Sequence, residues 1–118
     1  MSSSLHEQNS SQVTQDQHRA LASLQEELEA VDWYNQRADV ASDAEVEQVL
    51  RHNMYEEMEH ACMLLEWLRR NMTGFDENLK TYLFQSAPIT EIEEEETGEG
   101  GSGGAAGGDG SLGLGALK

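Results

Sequence analysis

Three side chains carry the chemistry that this sequence suggests. The segment MYEEMEHACMLLEW contains Glu57 and His60 in a Glu-x-x-His spacing. Residues three apart in a helix share a face. Both fall within a helical apolar stripe, Glu57 seven residues after Leu50 and His60 four before Leu64. Glu27 repeats the anomaly upstream, three residues after Leu24, four before Val31 and seven before Tyr34. A carboxylate on an inward face is costly unless something compensates it, and a metal ion does so directly. An oxygen-rich set with one imidazole per metal suits iron or manganese better than zinc, which prefers nitrogen and sulfur in closed tetrahedra. Carboxylates also bridge metals and change binding mode, as a site cycling between Fe(II) and Fe(III) requires.

Other candidates have less support. A Glu-x-x-His tetrapeptide occurs by chance in many helices, and the Glu-rich segment could simply face solvent. Glu56 lies four before His60, but its heptad neighbours Val49 and Met63 sit off the centre of the stripe. His6, His18 and His52 have no such context and read as surface histidines. Cys62, the one cysteine, excludes a disulfide framework; it reads as a small buried hydrophobe in a reducing compartment.

The elements that must position these residues are helical, so the fold class is all-α. Leu21, Leu24, Leu28 and Val31 define a helix over about 13–37, with a capping box formed by Thr14 and Gln17. Ser42 or Asp43 caps a second helix over about 44–71, whose stripe runs Val46, Leu50, Asn53, Glu57, His60/Ala61, Leu64, Leu68 before Gly74 stops it. A short third helix follows over about 75–85, with Pro88 as its end. Two long helices and a short turn form an antiparallel hairpin, which leaves much of its apolar surface wet. Pairing two hairpins into a four-helix ferritin-like bundle would cover it.

The ligand count asks for the same pairing. Di-iron bundles use a Glu from each of two helices and a Glu-x-x-His from each of the other two. This chain carries one of each.

Composition bounds the rest. The first dozen residues read as disordered, and residues 13–90 as one folding unit, of a size that often needs a partner. Residues 91–110 read as an acidic, glycine-rich flexible linker, and 111–118, SLGLGALK, as a separate terminal segment. A net charge of −16 argues against nucleic acid, which needs clustered Lys and Arg. No apolar run is long enough for a membrane span or a secretory signal.

Three long strings, EELEAVDWYNQRAD (26–39), HNMYEEMEHACMLLEWLRRN (52–71) and TYLFQSAPIT (81–90), resemble the encapsulated ferritins, the iron-handling cargo of encapsulin nanocompartments. The likeness covers nearly all of residues 13–92. It implies a ferroxidase whose di-iron centre forms across a dimer interface, with Glu27, Glu57 and His60 as ligands and Tyr34 beside them. It implies dimers assembled into an open ring, typically a decamer. It implies a second metal site at Glu26, Glu29 and Trp33, on the route by which iron arrives. Read without the resemblance, those two acids look solvated and Trp33 and Tyr34 look like packing aromatics. It also implies that the tail is a cargo peptide for an encapsulin shell in the bacterial cytoplasm, with Leu112, Leu114 and Leu117 as anchors. The alternative is a metal-free or metal-stapled helical oligomerisation module, in which Glu57 and His60 only fix register.

Overall fold

The structure is a computed structural model and describes residues 4–97. Helix α1 spans Gln12–Val40. Its N-cap is Ser11, whose Oγ accepts from the Thr14 amide at 3.1 Å. The helix therefore starts one residue before the stripe suggests, and Thr14 lies inside it rather than forming its cap. With no Gly or Pro to break it, α1 continues to Val40, where the Ala41 amide closes back on Ala38 O.

Helix α2 spans Ala44–Asn71 and has Asp43 as its N-cap, with Oδ2 accepting from the Val46 amide at 3.0 Å. Glu45 and Glu47 in the first turn and Arg69 and Arg70 in the last each oppose the local end of the helix dipole. Gly74, at φ 101°, takes the chain out of the helix in a conformation that side-chain-bearing residues avoid.

Near the start of α1, Gln17 donates to Asn71 O, at the end of α2, over 2.7 Å. This bond satisfies one of the orphan carbonyls of the last turn of α2. With the short 41–43 connection at the other end, it fixes α1 and α2 as an antiparallel hairpin. The hairpin core is thin. Ala20 and Ala38 from α1 and Met54, Ala61 and Leu68 from α2 are buried, Leu68 completely. Leu28 and Val46 belong to the apolar stripes yet are about half exposed, as are Val49, Tyr55 and Met63 off them. A single hairpin offers each helix one covering neighbour, so the flanks of a wide stripe stay open.

Among the described residues, those from Asp76 onward belong to a second compact unit. Helix α3 spans Phe75–Tyr82. It ends earlier than expected because Phe84 adopts φ 62°, leaving Leu83 N to Leu79 O as the last helical bond. Pro88 does not terminate this helix; its carbonyl accepts from Glu91 and Ile92 and opens helix α4, Ile89–Thr97. The acidic run read as a disordered linker is thus helical as far as Thr97. Glutamate is a good helix former, Glu91 sits at the favourable end of the dipole, and Ile92 is buried. Every regular element among the described residues is an α-helix. None of these helices is long and apolar enough to cross a membrane.

Candidate metal centre

Glu27 lies near the middle of α1, and Glu57 and His60 lie one turn apart on α2. The hairpin brings one donor atom of each within 4.8 Å of the others. His60 Nδ1 is 3.4 Å from Glu57 Oε1 and 3.5 Å from Glu27 Oε1. Two donors held about 2.1 Å from one first-row divalent ion at this separation subtend about 110° at it. The spacing therefore fits two ligands of a single ion, and the third carboxylate is near enough to share it. The carboxylates are 24% and 25% exposed and the imidazole is 46% exposed, so the cluster is open on one side.

The electrostatics are those of two carboxylates and an imidazole held close together. Glu27 is raised above the usual carboxylate range, chiefly by a hydrogen bond with Glu57 that requires a proton on Glu27, then by burial and the charge of Glu57. Glu57, the acceptor of that bond, is lowered. For His60, burial alone favours the neutral ring. The hydrogen bond with Glu57 and the charges of both carboxylates outweigh it, and the imidazole is raised above 6.5. Protons and metal ions compete for these atoms, so cation binding here expels protons.

Among the described residues, these are the only three or more His, Cys, Asp or Glu side chains that converge in this way. Glu26 is exposed and Glu29 half-buried, and the fold brings no third such donor to them. Glu56 faces His52 at 3.7 Å, away from the cluster. Tyr34 is half-buried on α1, seven residues and so about 10 Å along the axis from Glu27. Arg37 covers both aromatic rings, 5.6 Å from the centroid of Trp33 and 5.8 Å from that of Tyr34. This double cation–π contact was not foreseen, although Arg37 stands three and four residues after the two rings. Cys62 is exposed rather than buried: Ala61 takes the inward position, and the next residue is turned about 100° away. Leu112, Leu114 and Leu117 lie outside the described residues.

Residues 3–86 match the EncFtn-like family. The chain is 66% identical over 77 residues to the "Ferritin-like protein" of Thermotoga maritima, covering 65% of this chain and 68% of that one. It is 52% identical over 111 residues to the "Encapsulated ferritin-like protein" of Rhodospirillum rubrum, covering 89% of this chain and 79% of that one. The crystal structure of protein ne0167 from Nitrosomonas europaea superposes with a TM-score of 0.70 at 54% identity, over 72% of this chain and 96% of the other. The family match spans most of the chain and includes all three donors, so this chain belongs to the EncFtn-like family.

Proposed function

We propose that this chain is a ferroxidase subunit that oxidises Fe(II) with dioxygen at a site shared by two copies. The convergence of Glu27, Glu57 and His60 carries this reading. One chain supplies two carboxylates and one imidazole on an open face, which is half of a di-iron set. Two copies supply four carboxylates, enough to neutralise two Fe(II) substrate ions. The paired ions give two electrons to dioxygen. Two Fe(III) carry two more positive charges than the four carboxylates balance, which favours release of ferric iron.

Membership of the family supports a wider reading. Pairs assemble into a ring, a decamer of five dimers, and the iron is mineralised and stored inside an encapsulin shell. Glu26, Glu29 and Trp33 act as a second cation site on the way in, and Tyr34 stands by the centre completed by the second copy. Residues 111–118 dock the shell protein through Leu112, Leu114 and Leu117. On this reading the protein works inside a nanocompartment of the bacterial cytoplasm. Co-purification with an encapsulin, lost on removing 111–118, tests that part.

The central test is oxygen-dependent Fe(II) oxidation followed by ferric absorbance. Glu27→Ala and His60→Ala are each expected to lower the rate at least a hundredfold. Wild-type rates in both variants would overturn the proposal. A second reading has one observation in its favour: His60 already faces both Glu57 and Glu27 within the chain, as a register-setting polar group would. An oligomer that takes up no iron and assembles without it would favour that reading.

A further inference from the structure

The chain has seven Lys and Arg, of which Lys118 lies outside the described residues. Five of the other six reach a carboxylate. Arg19 pairs with Asp16, Arg51 with Glu47, Arg69 and Arg70 with Glu66, and Lys80 with Asp76. Arg37 is the sixth. In a chain with 23 acids it lies instead over two aromatic rings, 5.6 Å from Trp33 and 5.8 Å from Tyr34. The sequence dictates this. A helical side chain meets those three and four residues away, and for Arg37 these are Trp33 and Tyr34 before it and Val40 and Ala41 after it. The nearest acids, Asp32 and Asp39, stand five and two residues away on other faces.

A cation over a ring is attracted by the ring's negative face. The same charge opposes removal of an electron, because the ring left behind is positive. Trp33 is 47% exposed and Tyr34 half-buried, so water screens part of the effect. At these distances electron loss becomes about three- to tenfold less favourable. Trp67 offers an internal comparison. It stands seven residues after His60, as Tyr34 stands seven after Glu27, so each is about 10 Å along its helix from a ligand. The guanidinium groups near Trp67, those of Arg69 and Arg70, are held by Glu66.

On the ferroxidase reading, two Fe(II) give two electrons, which take dioxygen only to hydrogen peroxide. Two further electrons and two protons take peroxide to water. An indole can supply both electrons in single steps, gaining a hydroxyl from water and losing two protons. The net change is peroxide plus Trp33 to water plus hydroxylated Trp33. We propose that Arg37 restrains this side reaction by making electron loss from Trp33 and Tyr34 harder, so that iron and not the protein supplies the electrons. Arg37 lies ten residues, about 15 Å, beyond Glu27 and acts through the rings rather than on the metal. The proposal takes its peroxide from the ferroxidase reading.

Two measurements on the full chain test it, both in a Cys62→Ala background because the exposed thiol would consume oxidant first. The first uses no iron, so its failure is distinguishable from failure of the ferroxidase reading. Chlorine dioxide, a neutral one-electron oxidant, is added, and oxidation at Trp33 and Trp67 is followed by peptide mass spectrometry. Arg37→Met keeps an apolar stem and removes the charge. It is expected to speed oxidation of Trp33 about three- to tenfold and to leave Trp67 unchanged. Arg37→Lys restores the charge and is expected to be slower than Arg37→Met, which a purely structural role would not produce. In the second, Fe(II) is added repeatedly in air. Arg37→Met is expected to oxidise iron at the background protein's initial rate, while releasing less peroxide and accumulating hydroxylated Trp33. Equal oxidation of Trp33 with Arg and with Met at position 37, equal oxidation in Arg37→Lys and Arg37→Met, or an unchanged peroxide yield overturns the proposal.

Discussion

Replacing Glu27 with Gln is expected to stabilise the metal-free protein and to abolish the stabilisation that metal provides. Glu27 and Glu57 hold donor oxygens within 4.8 Å of each other. Two unit charges at that distance repel by about 0.9 kcal/mol in a water-like dielectric and about 3.5 kcal/mol at an effective dielectric of 20. With each side chain about a quarter exposed, the true value lies between these limits. Proton uptake by Glu27, whose affinity for a proton is raised, already relieves part of it. A glutamine amide supplies permanently the donor that Glu27 offers Glu57 only when protonated. The net gain is expected to be about 1 kcal/mol, or about 4–8 °C in melting temperature for a domain of this size.

The pH dependence has a definite sign. His60 is raised above 6.5 by the carboxylates it faces, so the stability it contributes is present below 6.5 and lost as pH rises through the raised value. At acidic pH the imidazolium attracts Glu27 across 3.5 Å, and removing that carboxylate gains little. At alkaline pH the ring is neutral, only repulsion remains, and the gain is largest. The assay is thermal unfolding by circular dichroism at fixed protein concentration, in chelator and then with anaerobic Fe(II). Binding at a hundredfold excess over Kd stabilises a folded protein by about 2.7 kcal/mol. The wild type is expected to show this rise, and Glu27→Gln is not. The reasoning fails if the variant melts below wild type in chelator at pH 8.5, or if both proteins gain equally from Fe(II).

Four further outcomes follow from single side chains. Leu68→Ala removes the fully buried side chain of the hairpin and is expected to cost about 2–5 kcal/mol, read by urea unfolding. Met63→Ala, at a side chain 64% exposed, should cost far less in a single chain. Asp43→Ala removes the acceptor for the Val46 amide and should cost about 1 kcal/mol, visible as a lower denaturation midpoint with an unchanged slope. Glu66 is held near pKa 2 by hydrogen bonds from Arg69 and then Arg70. Its contribution is present above about pH 4.5 and lost as pH falls towards 2, so the gap in melting temperature between wild type and Glu66→Gln should close across that window. A gap that stays constant with pH would contradict this assignment.

The convergence of Glu27, Glu57 and His60 was legible in the sequence because helical periodicity is a local rule. Glu57 and His60 are one turn apart in any helix, and Glu27 is marked by apolar neighbours at the same period. The N-cap at Asp43 and the stop at Gly74 were legible for the same reason, since caps are chosen by residues next to them. The misses required non-local information. The run 93–96 looks disordered when composition is averaged, but buried Ile92 and the Pro88 carbonyl give it a helix start. The end of α3 turns on the left-handed backbone at Phe84, which no propensity assigns to phenylalanine. The burial expected of Cys62 fails by a single residue, because Ala61 occupies the inward position.

Which stripe residues are buried follows from how many neighbours a helix has. Periodicity treats Leu28 and Leu68 alike, yet one is 54% exposed and the other 0%. Leu68 faces the helix that the same chain supplies. Leu28 follows Glu27 by one residue and is turned about 100° from it, on a flank that the hairpin leaves open. The open side of the Glu27–Glu57–His60 cluster and the open flank of α1 thus lie at the same level of the hairpin. A second hairpin laid across that level would cover apolar surface and complete a ligand set in one step. Each apolar side chain of this size contributes about 1.5–3 kcal/mol when fully buried, and about half that from half exposure. Several half-exposed residues per copy therefore supply a modest driving force of a few kcal/mol, set against an association cost of about 4–15 kcal/mol. With apolar burial and association cost this close, neutralisation of four carboxylates by two cations, on the proposed reading, would tip the balance towards pairing. Pairing is then expected to tighten with divalent cation and to weaken when Glu27 becomes Gln. Sedimentation of the wild type and Glu27→Gln, with and without anaerobic Fe(II), separates the apolar contribution from the ionic one. Equal pairing in all four samples would mean that the apolar flanks suffice and that the metal plays no part in assembly.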